Sequence, residues 1–112
     1  MASLSSAATA WTLLLIAGVL EIIWSSSMKA SDGFTKPLFT GITLVAASIS
    51  FWLLGLAMKS LPLGTAYAVW TGIGAVGAAI IGIVFFNEPA TATRILCIAA
   101  IVAGIAGLKF LS

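Results

Sequence analysis

Glu21 is the residue in this sequence whose type and position most clearly allow chemistry. It lies inside an apolar stretch that runs from Trp11 to Met28 and contains no other ionisable side chain. A charged group at membrane depth costs about 3 kcal/mol on insertion scales, and such residues mark ion or substrate pathways. A carboxyl group there can hold a proton or bind a cation. The alternative is an acid that stays neutral and only hydrogen-bonds a neighbouring helix.

The side chains that share a helical face with Glu21 favour a binding site. Residues three, four and seven apart lie on one face of an α-helix. Gly18 comes one turn before the acid and leaves space beside it, whereas Trp24 and Ser25 come one turn after it and can stack or hydrogen-bond there. We therefore predict that these three residues line the site of Glu21.

A second polar and aromatic face lies in the third apolar stretch. Tyr67 and Trp70 carry an O–H and an N–H donor, which usually find partners when they are buried. Aromatic faces also attract cations. We predict that both rings line the Glu21 site. For Tyr67, an aromatic belt at the membrane surface is the alternative.

Two further features are weaker indications. Gly72 and Gly74 form a Gly-x-Gly pair near the middle of the third stretch, where either a bend or close helix packing is expected. Ser50 is, with Ser48, a polar residue of the second stretch, but a serine in a membrane helix often bonds the backbone of its own helix. Residue type alone therefore gives Ser50 little weight.

The composition places these residues in a membrane. Of the 112 residues, 62% are hydrophobic and 7% are charged, which is too little charge to cover a water-soluble domain. About 20 apolar residues in a helix span the hydrocarbon core. We predict an all-α integral membrane protein with a single domain of four transmembrane helices, at about residues 11–28, 37–58, 64–86 and 95–111. The polar residues before Trp11 are expected to form a short tail.

The residue inventory argues against an enzyme. Histidine is absent, Cys97 is the single cysteine, and the chain has three acidic residues. Hydrolytic, thiol and metal-dependent chemistries lack the side chains they need. One cysteine also excludes a disulfide framework within the chain. We predict no catalytic residues, no metal site and no cofactor.

The charges in the loops give almost no orientation signal. The first and third loops share one side of the membrane and carry Lys29, Lys36 and Arg94. The other side carries Lys59 and Lys109 together with the amino terminus. Because the balance of Lys and Arg sets orientation, a chain so evenly charged can insert both ways up. This balance predicts dual topology and hence an antiparallel dimer.

The size of the chain also favours a dimer. Four short helices cannot enclose a substrate cavity, so a second copy is the simplest way to complete its walls. The fourth stretch carries small residues four apart, which let helix backbones approach closely. Packing within one chain is the alternative use of this face. We predict dimerisation through Ala100, Ala103, Gly104 and Gly107.

Two motifs resemble the small multidrug resistance family. One is G-x-x-E-x-x-W at Gly18–Trp24, followed by Lys29. The other is K-S-L-P-L-G-T-A-Y-A-V-W-T-G-I-G-A-V-G-A at Lys59–Ala78. The resemblance extends from about Trp11 to Leu108 without gaps. It is closer to the guanidinium-exporter subtype than to the exporters of quaternary-ammonium drugs, which typically have glycine at the position of Trp24.

The resemblance implies a fold and a function. It implies an antiparallel, dual-topology homodimer in the inner membrane of a bacterium, which exchanges protons for guanidinium by alternating access. Glu21 matches the glutamate shared by protons and substrate, and Tyr67 and Trp70 match residues that line its site. Trp24 and Ser50 match hydrogen-bonding partners of that glutamate. The implied partners are guanidinium or a small guanidinyl cation, protons, lipid and a second copy of the chain, and not nucleic acid.

The resemblance also assigns the glycine pair and the last helix. Gly72 and Gly74 match the bending point of the third helix, and the fourth helix matches the dimerisation helix. The sequence departs from the family at Ser25-Ser26-Ser27, where small apolar residues are more usual. Since Ser25 lies on the predicted site face, this departure bears on the range of substrates.

Two other functions compete with guanidinium export. A broader exporter of quaternary-ammonium and other drug cations would use the same scaffold. A membrane subunit without transport activity would use the helices for packing alone. The first would accept tetraalkylammonium ions as well as guanidinium, and the second would show no proton release linked to a substrate.

Overall fold

Four helices make up the bundle in the computed structural model, which describes the backbone of residues 2–111 and the side chains of residues 7–111. Helix α1 is Ala2–Ala30, α2 is Pro37–Ala57, α3 is Leu63–Phe85 and α4 is Ala92–Leu111. Each contains a segment long and apolar enough to cross a membrane, beginning at Ala7 in α1. The predicted all-α architecture with four membrane spans is confirmed.

The turns between the helices follow from their residues. The hydroxyl of the buried Ser31 donates to Met28 O at 2.7 Å and accepts from the backbone N–H of Phe34 at 3.0 Å. Gly33 has a positive φ of 70° in this turn, a conformation that costs glycine little. Proline begins α2, where its missing N–H is not needed. Thr91 accepts from the backbone N–H of Arg94 and caps α4.

The first helix is longer than predicted. The residues before Trp11 continue α1 back to Ala2 and do not form the expected tail. This part of the sequence contains no proline or glycine, so no residue in it opposes helix formation. Polarity alone was therefore a poor guide to where α1 begins.

The core lies where α1 packs against α2 and α3. Leu14, Ala17 and Val69 are fully buried within it. Helix α4 packs on α3 at the outside of the bundle and contains no buried residue among those described. Its Lys109 lies 4.5 Å from the ring centre of Trp11, a cation–π contact that reaches α1. The helices therefore leave most of α4 uncovered.

Small residues let α1 and α3 approach closely. A Cβ atom at Gly18 would lie 2.7 Å from Cγ2 and 2.9 Å from Cβ of Ile73. A Cβ atom at Gly77 would overlap the side chain of Ile22. Gly18 is thus a packing residue against α3, and its contribution to the site is to bring the two helices together.

We predict that Gly18→Ala destabilises the bundle by about 1–3 kcal/mol, the usual cost of overpacking, because the rigid Cβ of Ile73 cannot move out of the way. Unfolding of the detergent-solubilised protein by added SDS measures this change. Gly55→Ala is the matched control, since a Cβ atom there meets nothing within 4 Å. Equal stability of the two variants would contradict the tight α1–α3 contact.

Candidate functional site

Glu21 points from the middle of α1 toward α3. Its carboxyl group lies directly against Gly74, where a Cβ atom would overlap the carboxyl atoms. The Oε2 atom is buried and has no hydrogen-bond partner among the described residues. A buried acceptor without a partner costs about 1–3 kcal/mol, and more when it is charged. A proton on the carboxyl group, or a hydrogen-bond donor from outside these residues, would satisfy this oxygen.

A hydrogen-bonded junction at Ser50 holds the three site helices together. The Ser50 hydroxyl on α2 donates to the backbone carbonyl of Ala17 on α1 at 2.7 Å. It accepts from the indole Nε1 of Trp70 on α3 at 2.9 Å. Ala17 precedes Glu21 by one helical turn, so the junction lies beside the acid along α1. All three residues are buried.

Four aromatic rings form a continuous row beside this junction. The ring centres of Trp24 and Phe51 are 6.2 Å apart, those of Phe51 and Trp70 5.7 Å, and those of Trp70 and Tyr67 5.5 Å. These separations and tilts are typical of attractive aromatic pairs. Phe51 and Tyr67 are each 53% exposed at the open side of the row. The row provides faces that a flat cation can contact.

Trp24 carries the second unmatched polar group of the site. Its indole Nε1 is buried and donates to no described residue. Glu21 and Trp24 are three positions apart on α1, so an unmatched acceptor and an unmatched donor lie on one helical face. The site thus offers a ligand one hydrogen-bond acceptor, on Glu21, and one donor, on Trp24.

The predicted hydrogen bonds from Trp24 and Ser50 to Glu21 are not present among the described residues. The single hydrogen of the Ser50 hydroxyl is used by Ala17 O, and its oxygen already accepts from Trp70. The Trp24 donor remains unpaired. Ser50 therefore affects Glu21 indirectly, because it positions Trp70 and the backbone of α1.

Ser50 forms hydrogen bonds that could not be predicted from its residue type. Its neighbour Ser48 is exposed and donates to Leu44 O of its own helix at 2.8 Å, the behaviour expected of a membrane serine. Ser50 instead connects three helices. Only its place on the buried face of α2 distinguishes the two, and that face depends on how α2 is rotated in the bundle.

Ser25, predicted to line the Glu21 site, borders a cavity near the end of α1. Its hydroxyl donates to Ile22 O at 3.1 Å, and the residue lines a cavity of about 150 Å³ between the ends of α1 and α3. This cavity, called the outer cavity below, also contains Ser26, Lys29 and Glu88. Ser25 shares the face of Glu21 one helical turn further along α1, and its role at the Glu21 site stays a prediction.

The glycine pair is used for close contacts in this conformation. Gly74 accommodates the carboxyl group of Glu21, and a Cβ atom at Gly72 would lie 2.8 Å from Cδ1 of Ile105 on α4. Helix α3 continues unbroken through both residues. The predicted bend stays a prediction.

The small residues of α4 form an open surface. Ala100, Ala103, Gly104 and Gly107 are exposed, and a Cβ atom at either glycine would meet nothing within 4 Å. Packing within this chain therefore does not use the face they share.

Phe51 was missed by the sequence analysis. It connects the Trp24 ring to the Trp70 ring and so completes the aromatic row. Its position next to Ser50 was the available signal. Nothing in the sequence separated it from the adjacent Trp52, which is 65% exposed and forms no ring pair with a described residue.

Known proteins resemble the chain over nearly its whole length. The family model described as Small Multidrug Resistance protein matches residues 9–101. A protein named guanidinium exporter from Yersinia pseudotuberculosis is 58% identical over 103 residues, which cover 92% of this chain and 99% of the relative. A guanidinium exporter from Salmonella typhimurium is 54% identical over 99 residues, or 88% of this chain and 94% of the relative.

We predict that Ser50→Ala destabilises the bundle by about 1–3 kcal/mol, because it leaves the buried indole N–H of Trp70 without a partner. The measurement is the unfolding midpoint in detergent. Ser48→Ala removes the same hydroxyl from an exposed position of the same helix and should stay within about 0.5 kcal/mol of the parent. A Ser50 variant as stable as the Ser48 variant would show that the junction does not hold the helices.

Proposed function

Because the chain belongs to the small multidrug resistance family, we propose that it exports guanidinium across the inner membrane in exchange for protons. The observation that carries this proposal is the unmatched buried oxygen of Glu21 inside a membrane-spanning helix. Relatives that match over almost their full length are named guanidinium exporters, which supports the same substrate here.

The chemistry of guanidinium suits the groups that surround Glu21. The ion is planar and carries its N–H donors around the edge, so a carboxylate can bind two of them at once. Its flat faces can stack on aromatic rings, and the row from Trp24 to Tyr67 offers several. A site with one carboxyl group and exposed ring faces fits a small planar cation.

The coupling of the two fluxes follows from the cost of a bare carboxylate in the membrane. Burial disfavours the ionised acid, so the empty site holds a proton. Guanidinium binds the ionised form and must displace that proton. An empty, charged site would bury an uncompensated charge, which is strongly unfavourable. The protein therefore changes its direction of access with a proton or with guanidinium bound, and this exclusion couples their movements.

A second copy of the chain would complete the site. Phe51 and Tyr67 are half-exposed at its open side, and the small-residue face of α4 is uncovered. The even distribution of Lys and Arg between the two sides favours insertion in both orientations. We propose an antiparallel homodimer in which α4 forms the contact through Ala100, Ala103, Gly104 and Gly107. Two Glu21 groups in one cavity would titrate as a coupled pair.

We propose that α3 bends at its glycine pair, Gly72 and Gly74, when the protein changes its direction of access. Tyr67 and Trp70 precede Gly72 on α3, and Gly74 lies against the Glu21 carboxyl group. A bend between these positions would move the aromatic rings relative to the acid. The contact with Glu21 would then differ between the two states.

The broader exporter of quaternary-ammonium ions has less support. Its main argument was the polar Ser25 on the site face, and Ser25 lines the outer cavity together with Lys29 and Glu88. Trp24 and Trp70 meanwhile add two large indole rings to the aromatic row. These features favour a small substrate.

We predict that Glu21→Gln abolishes proton-driven guanidinium transport, because the amide can neither release a proton nor carry a charge. The measurement is the transport current of the protein in liposomes, and cross-linking checks that the variant still dimerises. Asp32→Asn, which neutralises an exposed loop acid, is the matched control and should retain the current.

The measured currents separate the candidate functions. Guanidinium currents that exceed tetraethylammonium currents and vanish in the Glu21 variant support the proposal. Equal currents from both cations would support the broader exporter. A wild-type protein without current from either cation, or a Glu21 variant with full current, would contradict the proposal.

A further inference from the structure

The outer cavity lies at the membrane end of the seam between α1 and α3 that contains Glu21. On α1, Glu21, Ser25 and Lys29 are spaced four residues apart and share a face. On α3, Gly74 contacts Glu21, and Ala78 and Gly82 follow it at the same spacing and line the outer cavity. Small residues on α3 therefore face polar residues on α1 from the acid to the end of the helices. A cation that arrives from this side meets the outer cavity before it meets Glu21.

The carboxyl group in this cavity is that of Glu88, in the loop after α3. Its side chain folds back over Gly82, where a Cβ atom would overlap the carboxyl atoms. The backbone N–H of Glu88 also donates to Gly82 O at 3.1 Å. Because Gly82 has no side chain, the Glu88 carboxyl group can lie against it in the wall of the cavity.

Glu88 already binds a guanidinium group of the protein. Nη2 of Arg94 donates to Glu88 Oε1 at 3.1 Å, and the two side chains are 39% and 42% exposed. Oε2 accepts from no described residue. The carboxylate therefore has the geometry to accept guanidinium N–H groups and keeps an oxygen with free acceptor capacity.

The two serines present acceptors to the cavity, and not donors. Ser25 and Ser26 both donate their hydroxyl hydrogens to Ile22 O, at 3.1 and 2.7 Å. Each hydroxyl oxygen is left with lone pairs only. Phe86 lines the same cavity and supplies an aromatic wall. The carboxylate and the two acceptor hydroxyls can accept the N–H donors of a cation, and the ring can contact its flat face.

We propose that the outer cavity is a second guanidinium site, where the substrate binds Glu88 Oε2, Ser25 and Ser26 before it reaches Glu21. This inference rests on the proposed function for the identity of the cation. Lys29 lines the cavity and repels a cation there, so the site holds its ligand weakly and releases it along the seam. In this proposal, Ser25 and Ser26 of the Ser25-Ser26-Ser27 run bind the substrate in the outer cavity.

Binding to the outer cavity is tested in a protein that lacks the inner acid. In the Glu21→Gln variant, labelled with ¹⁵N in detergent micelles, guanidinium chloride is titrated at constant ionic strength. We expect saturable shifts of the Ser25 and Ser26 amide signals and of the Arg94 side-chain N–H signal. Adding Glu88→Gln should remove these shifts. Adding Asp32→Asn, which removes a loop acid on the same side of the membrane, should leave them.

Gly82→Ala gives an independent test, because it changes no charged residue of the outer cavity. The new Cβ atom would displace the Glu88 carboxyl group, so the shifts should weaken although the acid remains. Lys29→Gln should tighten the site, because it removes the like charge. Shifts that are absent in Glu21→Gln, that survive Glu88→Gln, or that disappear equally with Asp32→Asn would overturn the proposal.

Transport by the otherwise intact protein separates this proposal from the proposed function. Glu88→Gln should raise the KM for guanidinium by up to about five-fold, the effect of one exposed charge pair, and leave the maximal rate unchanged. Loss of transport in Glu21→Gln with an unchanged KM in Glu88→Gln would overturn the outer site and leave the exporter intact. Saturable, Glu88-dependent binding in a protein that transports nothing would overturn the exporter and leave the site.

Discussion

The constraint on which the rest of the structure depends is the cost of a carboxylate without a partner inside a membrane. Glu21 lies in the middle of a spanning helix, and its Oε2 has no hydrogen-bond partner among the described residues. An uncompensated charge there costs more than any single contact in the bundle can supply. Under the proposed exchange, the acid therefore holds either a proton or a cation at every stage of transport. In the proposed function, that requirement is what couples the movement of protons to the movement of guanidinium.

The bundle holds the acid in place while leaving its ligand position open. Ser50 joins the backbone of α1 to the indole of Trp70 on α3, which fixes the aromatic row relative to the turn that carries Glu21. Gly74 lets α3 approach the carboxyl group without covering it with a side chain. Helix α4 lies outside this arrangement and stays uncovered. Rigid support on one side and an open face on the other suit a site that a second copy completes.

Helical spacing and residue type were sufficient to predict the four spans and to place Glu21 inside the first of them. The same spacing could not show which neighbouring helix each side chain meets. It did not show that Ser25 also borders the outer cavity between α1 and α3. It also could not distinguish Ser50 from Ser48, or Phe51 from Trp52. The rotation of α2 within the bundle decides which serine is buried and which aromatic ring joins the row.

The most direct test of the account is whether guanidinium releases protons from Glu21. Guanidinium chloride is added to the purified protein in a weakly buffered detergent solution near neutral pH, and the released acid is measured. The account predicts a saturable release of protons that disappears in Glu21→Gln, because substrate and proton compete for one carboxyl group. Guanidinium transport by a protein that shows no Glu21-dependent proton release would contradict it.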